Sequence, residues 1–214
     1  MTGIFEAIKE TGIIPVVKIN DWTKAAELAE TLVKTGIMAV EITFRSAAAE
    51  ESIKEISRAV PEITVLAGTI LNTENAERAV ENGASAVISP GTNEDTVKWC
   101  LDNKVPVIPG CMTPTEIQKC INYNINIVKF FPAEAAGGVK MLEAFKGPFG
   151  SVSFMPTGGI NQSNLINYMS LSNVIACGGS WMVTESLIDS GNFDEITRLS
   201  KEAVKILKPT GGKA

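Results

Sequence analysis

The chain has 214 residues, of which 45% are hydrophobic, a formal net charge of −5, and no histidine. This composition supports one sizeable core, and no segment resembles a linker, so we predict a single domain over residues 1–214. The absence of histidine excludes a Ser-His-Asp or Cys-His catalytic apparatus, and a negative charge without any run of Lys and Arg argues against nucleic-acid binding.

The N-terminal segment and the cysteines indicate the cellular setting. MTGIFEAIKETG lacks the basic and long apolar regions of a signal peptide, and no apolar stretch reaches the roughly 18 residues of a membrane span. We therefore expect a cytoplasmic protein that does not bind a membrane. Four cysteines, at Cys100, Cys111, Cys120 and Cys177, form no CxxC pair, so we expect reduced thiols and no metal site.

Short apolar runs recur along the chain after a predicted helix over residues 3–10. They predict eight strands, over 13–18, 37–43, 63–68, 84–89, 105–109, 125–130, 151–156 and 173–178. Most are apolar on both faces, as parallel strands covered by helices are. Amphipathic segments lie between them, for example at 21–36, 72–83 and 93–104, and a predicted helix over 193–208 ends the series.

Eight such strand-helix units favour an α/β fold of the (β/α)8 or TIM barrel type with a short N-terminal helix. A doubly wound open sheet is the alternative. It would normally have fewer strands and a glycine-rich fingerprint after the first one, whereas IIPVVKINDW contains no glycine.

Unusual polar residues and glycines collect at the carboxyl ends of the predicted strands, where the chemistry of such barrels is found. In chain order they are Lys18, Glu41, Arg45, Thr69, Ser89 with Pro90, Lys129, Thr157, and Gly178 with Gly179 and Ser180. Most other charged residues fall on helices, where a solvated face explains them.

Lys129, in the apolar run NINIVKFFPA, has two interpretations. It is either a lysine that extends its amine to solvent along the core, or a nucleophile. Desolvation near Phe130 and Phe131 would disfavour the ammonium and leave a free amine able to attack a carbonyl. The position at a strand end favours the nucleophile. Lys18 is the alternative amine, in the more polar context KINDW.

Glu41 and Arg45 lie four residues apart in VEITFR. Glu41 is either the ion-pair partner of a nearby cation or a proton carrier, and both roles can hold at once. Arg45 offers a planar fork suited to the carboxylate of a ligand, or else pairs with Glu41 or caps a loop.

Two glycine pairs, in PTGGIN and CGGSW, follow neighbouring predicted strands. Backbone N–H groups in such turns can converge on a phosphate, and Ser180 can add a hydroxyl donor. A single glycine pair is weak evidence because glycines are ordinary turn residues, but two at adjacent loops strengthen the prediction.

The motifs VEITFR, AGTILN, ISPGTN, PGCMTPTE, VKFFPAE, GPF, PTGGI and GGSW occur in this order over nearly the whole chain. They closely resemble those of the 2-keto-3-deoxy-6-phosphogluconate (KDPG) aldolase family, whose members also act as 4-hydroxy-2-oxoglutarate aldolases. The resemblance implies a class I aldolase without metal or cofactor, usually a homotrimer of barrels. Its reaction is the cleavage of a phosphorylated keto acid, KDPG, to pyruvate and glyceraldehyde 3-phosphate.

The resemblance also assigns roles to residues. It places the Schiff-base lysine at Lys129, the proton-transferring glutamate at Glu41 and the arginine that binds the pyruvate carboxylate at Arg45. The other substrate-binding positions that it implies are Thr69, Pro90, Phe131, Thr157, Gly158, Gly159, Gly179 and Ser180.

Two other functions stay open from the residues alone. One is a phosphosugar isomerase or synthase that shares only the phosphate loops and needs no imine. The other is a binder of sugar phosphates that has kept the pocket but does not catalyse.

Overall fold

The computed structural model describes residues 2–207, and in this range helices and strands alternate. The strands are β1 (Ile13–Val17), β2 (Ala39–Thr43), β3 (Thr64–Gly68), β4 (Ala86–Ile88), β5 (Val107–Ile108), β6 (Gly110–Cys111), β7 (Ile127–Phe130), β8 (Ser153–Pro156) and β9 (Cys177–Gly179). The helices are α1 (Thr2–Thr11), α2 (Ala25–Lys34), α3 (Ala49–Ala59), α4 (Thr73–Glu81), α5 (Glu94–Asp102), α6 (Pro114–Asn122), α7 (Gly138–Phe145), α8 (Leu165–Met169), α9 (Glu185–Asp189) and α10 (Phe193–Leu207).

The strands form two parallel sheets. One has the order β5-β4-β3-β2-β1-β9, and the other has the order β6-β7-β8. Two isolated parallel bridges connect these sheets: Phe154 of β8 pairs with Val174, before β9, and Thr157, just after β8, pairs with Gly178 of β9. The result is an α/β fold with a curled parallel sheet, in which all carboxyl ends of the strands point to one rim.

The predicted strands overlap the observed ones, with two differences. The fifth prediction covers β5, but Pro109 separates β5 from β6, because a proline has no N–H to donate to a ladder. The eighth prediction began at Asn173, whereas β9 begins at Cys177 and only Val174 forms a bridge before it.

The predicted helices also agree in position. The segment 21–36 begins with a 3-10 turn at Trp22–Lys24 before α2. The C-terminal prediction extended to Lys208, which lies outside the described residues, as do Met1 and the rest of the C-terminus. Within residues 2–207, no helix combines the length and the apolar character needed to cross a bilayer.

Side-chain caps fix several helix starts at the carboxyl-end rim. Thr113 and Glu116 form a reciprocal capping box at α6, with Pro114 in the first turn. Asn72 and Asn93 accept hydrogen bonds from the Asn75 and Thr96 backbone amides at α4 and α5. These caps satisfy amides that the helices leave unpaired, and they define where each loop ends.

The core has two parts, because side chains alternate between the two faces of a strand. One face packs against helices, as Val40 and Ile42 of β2 do. The other faces neighbouring strands and contains Ile14, Ala39, Leu66, Ile108 and Met155, with Ile8 of α1 packed among them. The functional side chains described below continue this second face towards the rim.

Candidate active site

The alternation of strand side chains places the predicted catalytic residues on the inner face. Side chains two positions apart in a strand point to the same face. Glu41 and Thr43 therefore share a face of β2 with Ala39, and Lys129 shares a face of β7 with Ile127. Ala39 and Ile127 belong to the inner core or pack against it. The inner face therefore changes from apolar to charged towards the carboxyl ends of the strands.

A cavity of about 350 Å³ opens at this rim. It is lined by all eleven residues that the sequence predicted for the site: Glu41, Arg45, Thr69, Pro90, Lys129, Phe131, Thr157, Gly158, Gly159, Gly179 and Ser180. Val16, Thr43, Ile160 and Gly178 complete the lining.

Lys129 and Glu41 form a buried ion pair at the base of the cavity. Lys129 Nζ lies 3.0 Å from Glu41 Oε1, and the two side chains are 4% and 0% exposed. The amine also lies 5.4 Å from the centre of the Phe131 ring. The second carboxylate oxygen, Glu41 Oε2, has no hydrogen-bond partner within the described residues. An amine and a carboxylate with a free oxygen thus share one desolvated space.

Glycines on neighbouring strands allow other groups to approach closely, and the one on β3 makes room for Glu41. A Cβ atom on Gly68 of β3 would lie 2.5 Å from Glu41 Cγ and would also collide with Glu41 Oε1. Gly110 of β6 pairs in register with Lys129, and a Cβ atom there would lie 2.5 Å from the Gly91 nitrogen. Only glycine fits at either position without a shift of the neighbouring atoms.

Arg45 stands at the rim, two residues beyond the end of β2, and its side chain is exposed. Its Nε lies 3.2 Å from Thr43 Oγ1, and its backbone nitrogen donates to the Thr43 carbonyl oxygen. The predicted pairing of Arg45 with Glu41 is not observed, since Glu41 pairs with Lys129. Within residues 2–207, Arg45 forms no salt bridge and only its Nε has a side-chain partner, so its terminal nitrogens can meet an anionic ligand at the mouth.

Thr69 and Thr157 both line the cavity. Thr69 has a φ of 57°, a left-handed conformation that is costly for a β-branched residue and is typical of functional sites. Thr157 is 6% exposed, and its Oγ1 has no partner within residues 2–207. A Cβ atom on Gly178 would collide with that oxygen. The hydroxyl of Thr157 is thus buried, unpaired and next to the cavity.

The first glycine pair lies in a loop after β8, as the sequence predicted, whereas Gly178 and Gly179 belong to β9. Gly158 and Gly159 have φ values of 99° and 81°, which side chains rarely adopt. The turn after β7 supports their loop, because the amides of Ala133 and Glu134 donate to the carbonyls of Thr157 and Gly158. Gly179 leaves space for the Trp181 ring, because a Cβ atom on Gly179 would lie only 2.7 Å from Trp181 Cε3.

Lys18, the alternative amine, does not line the cavity. Its Nζ lies 2.7 Å from Glu185 Oε2, and the lysine side chain is 28% exposed. The hydrogen bonds from Lys18 and Asn20 lower the pKa of the Glu185 carboxyl. Lys18 is engaged in this outer ion pair, so the geometry favours Lys129 as the nucleophile.

Thr43 is the most informative residue that the sequence analysis missed. It is 1% exposed, lines the cavity and donates a hydrogen bond of 2.8 Å to the Val17 carbonyl oxygen. Thr43 could have been predicted from the sequence, because it lies two positions after Glu41 and therefore on the same face of the strand. Val16 could have been found in the same way from Ile14, whereas nothing in the sequence pointed to Ile160.

No cluster of three or more potential metal ligands occurs among the residues that the structure describes. All four cysteines in this part of the chain are free and buried. Burial raises the pKa of the Cys177 thiol, which lies on β9.

Comparisons with known proteins show which family this chain resembles over nearly its whole length. The family model for KDPG and KHG aldolase matches residues 4–199. A 2-dehydro-3-deoxy-phosphogluconate aldolase of Haemophilus influenzae is 43% identical over 96% of this chain and 97% of its own length. The KHG/KDPG aldolase of Escherichia coli K12 is 41% identical over 94% of both chains.

Solved structures are similar over nearly the whole chain. A KDPG aldolase of Legionella pneumophila, with pyruvate captured as a covalent carbinolamine, has a TM-score of 0.90 at 35% identity and covers 93% of this chain and 97% of its own. A KDPG aldolase of Zymomonas mobilis with 3-phosphoglycerate has a TM-score of 0.90 at 32% identity, covering 99% and 100%.

The fold and the buried amine-carboxylate pair define an enzyme of the aldolase class, a lyase. The chain belongs to the KDPG and KHG aldolase family, and the resemblance predicted from its motifs is confirmed.

Proposed function

We propose that this enzyme is a class I aldolase that cleaves KDPG to pyruvate and glyceraldehyde 3-phosphate, and 4-hydroxy-2-oxoglutarate to pyruvate and glyoxylate. The observation that carries the proposal is the contact of 3.0 Å between Lys129 Nζ and Glu41 Oε1 inside a cavity lined by the predicted substrate-binding residues. An amine held beside a proton carrier is the minimal equipment for imine chemistry without histidine.

The reaction begins when Glu41 takes a proton from the Lys129 ammonium, and the resulting neutral amine adds to the C2 ketone of the substrate to give a carbinolamine. Glu41 delivers a proton to the departing hydroxyl, so that water leaves and an iminium forms. The free oxygen of Glu41, Oε2, supports this role because it is not committed to another hydrogen bond in the described residues.

The C3–C4 bond then breaks. The C4 hydroxyl loses its proton through a water molecule to Glu41, the aldehyde leaves, and the electron pair of the bond moves into the iminium to form an enamine. Protonation of the enamine at C3 gives the iminium of pyruvate, and water hydrolyses it to pyruvate and the free lysine. Each proton that Glu41 takes is returned within the cycle, so no metal or cofactor is consumed.

The two ends of the substrate need separate anion sites. Arg45 and Thr157 bind the carboxylate and orient the ketone towards Lys129, so that the breaking bond is perpendicular to the iminium plane. The backbone amides of the Gly158–Gly159 loop and of Gly179 at the end of β9, with the hydroxyl of Ser180, bind the phosphate. Binding energy from this remote end contributes to the rate at the reacting bond. Thr69, Pro90 and Phe131 form the walls between the two ends.

Release of pyruvate from a panel of keto acids, coupled to lactate dehydrogenase, tests the substrate assignment. We expect turnover of KDPG and slower turnover of 4-hydroxy-2-oxoglutarate. Turnover of phosphosugars without pyruvate release would instead support an isomerase, and thermal stabilisation by phosphorylated sugar acids without any turnover would support a binder.

The assembly is also part of the proposal. We propose that the two sheets are parts of one closed (β/α)8 barrel, which the bridges from β8 to the β9 segment support. We further propose a homotrimer, which the exposed apolar side chains of Leu71 and Met112 near the rim support. Light scattering should give three times the monomer mass of 22.8 kDa.

A phosphorylated keto acid is retained inside cells by its charge, so we place the enzyme in the cytoplasm.

A further inference from the structure

The four arginines of the chain differ in what they contact. Arg58, Arg78 and Arg198 each form a salt bridge with a glutamate on a helix. Arg45 forms no salt bridge with a carboxylate of the residues that the structure describes, and its one side-chain hydrogen bond there goes to Thr43 Oγ1, 3.2 Å from Nε. The single arginine in the cavity is therefore held by a neutral hydroxyl.

The hydroxyl of Thr43 has a defined orientation. It lies 2.8 Å from the Val17 carbonyl oxygen of β1, and a carbonyl oxygen only accepts hydrogen bonds. The single hydroxyl proton is thus committed to Val17, which leaves the lone pairs of Oγ1 for the Nε–H of Arg45. Thr43 is 1% exposed and β-branched, so its side chain has little freedom to rotate.

We propose that Thr43 is a positioning residue, whose hydroxyl is tied to Val17 and holds Arg45 so that its terminal nitrogens receive the carboxylate of a 2-keto acid. The inference rests on the proposed function, in which Arg45 binds that carboxylate. A guanidinium that is fixed through Nε keeps both terminal nitrogens available for a bidentate contact. Without the hydrogen bond to Thr43, the exposed side chain of Arg45 must lose its rotational freedom each time that substrate binds.

The test compares two ligands, pyruvate and methyl pyruvate, which share the ketone and differ in the carboxylate. The concentration of each that half-saturates borohydride inactivation is measured for the native enzyme and three variants. Thr43→Val keeps the shape and removes the hydroxyl, Thr43→Ala is a second variant without the hydroxyl, and Thr43→Ser keeps the hydroxyl.

We expect Thr43→Val and Thr43→Ala to raise the half-saturating concentration of pyruvate about tenfold or more, because a hydrogen bond to a charged group is lost. The value for methyl pyruvate should change less than about twofold, and Thr43→Ser should restore most of the affinity for pyruvate. Equal weakening of both ligands would show that Thr43 only supports the local structure and would overturn the inference.

A double-mutant cycle with Arg45→Lys separates this inference from the proposed function. Lysine has no N–H at the position of Nε, so Thr43→Val should add little to the effect of Arg45→Lys. Full additivity of the two effects would overturn the role of Thr43. If Arg45→Lys weakens pyruvate and Thr43→Val does not, only the inference fails. If Arg45→Lys has no effect, the carboxylate role of Arg45 fails and the inference fails with it.

Discussion

Lys129 Nζ and Glu41 Oε1 lie 3.0 Å apart in the folded enzyme, although 88 positions separate the two residues in the sequence. Both side chains are almost completely buried. The desolvation of two charges is unfavourable, and a buried pair of this kind is weak evidence for stability. Its position at the base of the cavity is better explained by the imine chemistry that we propose for it.

Removal of one member of this pair should therefore destabilise the fold more than removal of both. We expect Lys129→Met to lower the free energy of unfolding by about 3–5 kcal/mol, because it leaves the Glu41 carboxylate buried without its partner. The double variant Lys129→Met/Glu41→Leu should recover most of that loss and should remain inactive. Urea denaturation and the pyruvate release assay measure the two quantities. A double variant less stable than Lys129→Met would contradict this explanation.

Gly68 should be required for activity because its missing side chain makes room for Glu41. A Cβ atom there would lie 2.5 Å from Glu41 Cγ. We expect Gly68→Ala to displace the carboxylate from Lys129 and to lower kcat by about 100-fold or more, as the loss of a positioned proton carrier does. Gly147→Ala is the matched control, since no atom lies within 4 Å of a Cβ atom at Gly147. Equal kcat values for the two variants would show that Glu41 tolerates the displacement.

A substitution of Ser180 tests where the phosphate of the substrate binds. It is exposed and lines the cavity beside Gly179. Ser180→Asp should lower kcat/KM for KDPG at least about tenfold through like-charge repulsion, and should leave kcat/KM for 2-keto-3-deoxygluconate, which has a neutral hydroxyl in place of the phosphate, nearly unchanged. Ser151→Asp is the control, because Ser151 precedes β8 at the opposite end of the strand. Equal losses on both substrates would place the phosphate elsewhere.

The buried thiols give a prediction about pH. Burial raises the pKa of Cys100 from 9.0 to about 12, so the folded state disfavours the thiolate. In the unfolded chain this thiol ionises near its ordinary value, so its contribution to stability is complete below about pH 8.5 and is lost as the pH rises towards 12. The free energy of unfolding should therefore fall less steeply above about pH 9 in Cys100→Ala than in the native enzyme. Denaturation curves measured at each pH give the free energy of unfolding. An equal slope of this free energy against pH in Cys100→Ala and in the native enzyme would contradict the prediction.

Much of the fold was accessible from the sequence because its elements are local and repetitive. The runs around Val40 and Val128 are apolar on both faces, which is typical of covered parallel strands. Each of the eight predicted runs overlaps an observed strand, although the structure has nine strands in the described residues. The split at Pro109 and the late start of β9 were not predicted, because both depend on which backbone groups find a partner across the sheet. Whether the two sheets close into a barrel stays a prediction.

The candidate site was predicted because its residues are chemically out of place. A lysine and a glutamate in apolar strands, and glycine pairs after two others, stand out in the sequence. Thr43 was missed because threonine is ordinary in a strand, and only the hydrogen bonds to Val17 and Arg45 distinguish it. The space that Gly68 leaves for Glu41 was equally hidden, since it depends on the register between β2 and β3.

In the proposed reaction the amine of Lys129 forms a covalent imine with the keto acid. The most direct measurement is peptide mass spectrometry after the enzyme is incubated with pyruvate and reduced with borohydride. We expect one pyruvate-derived mass on the peptide that contains Lys129, retained in Thr43→Ser and absent from Lys129→Met. A label on Lys18 or another amine, or full activity without any label, would contradict the assignment of Lys129 as the residue that forms the imine.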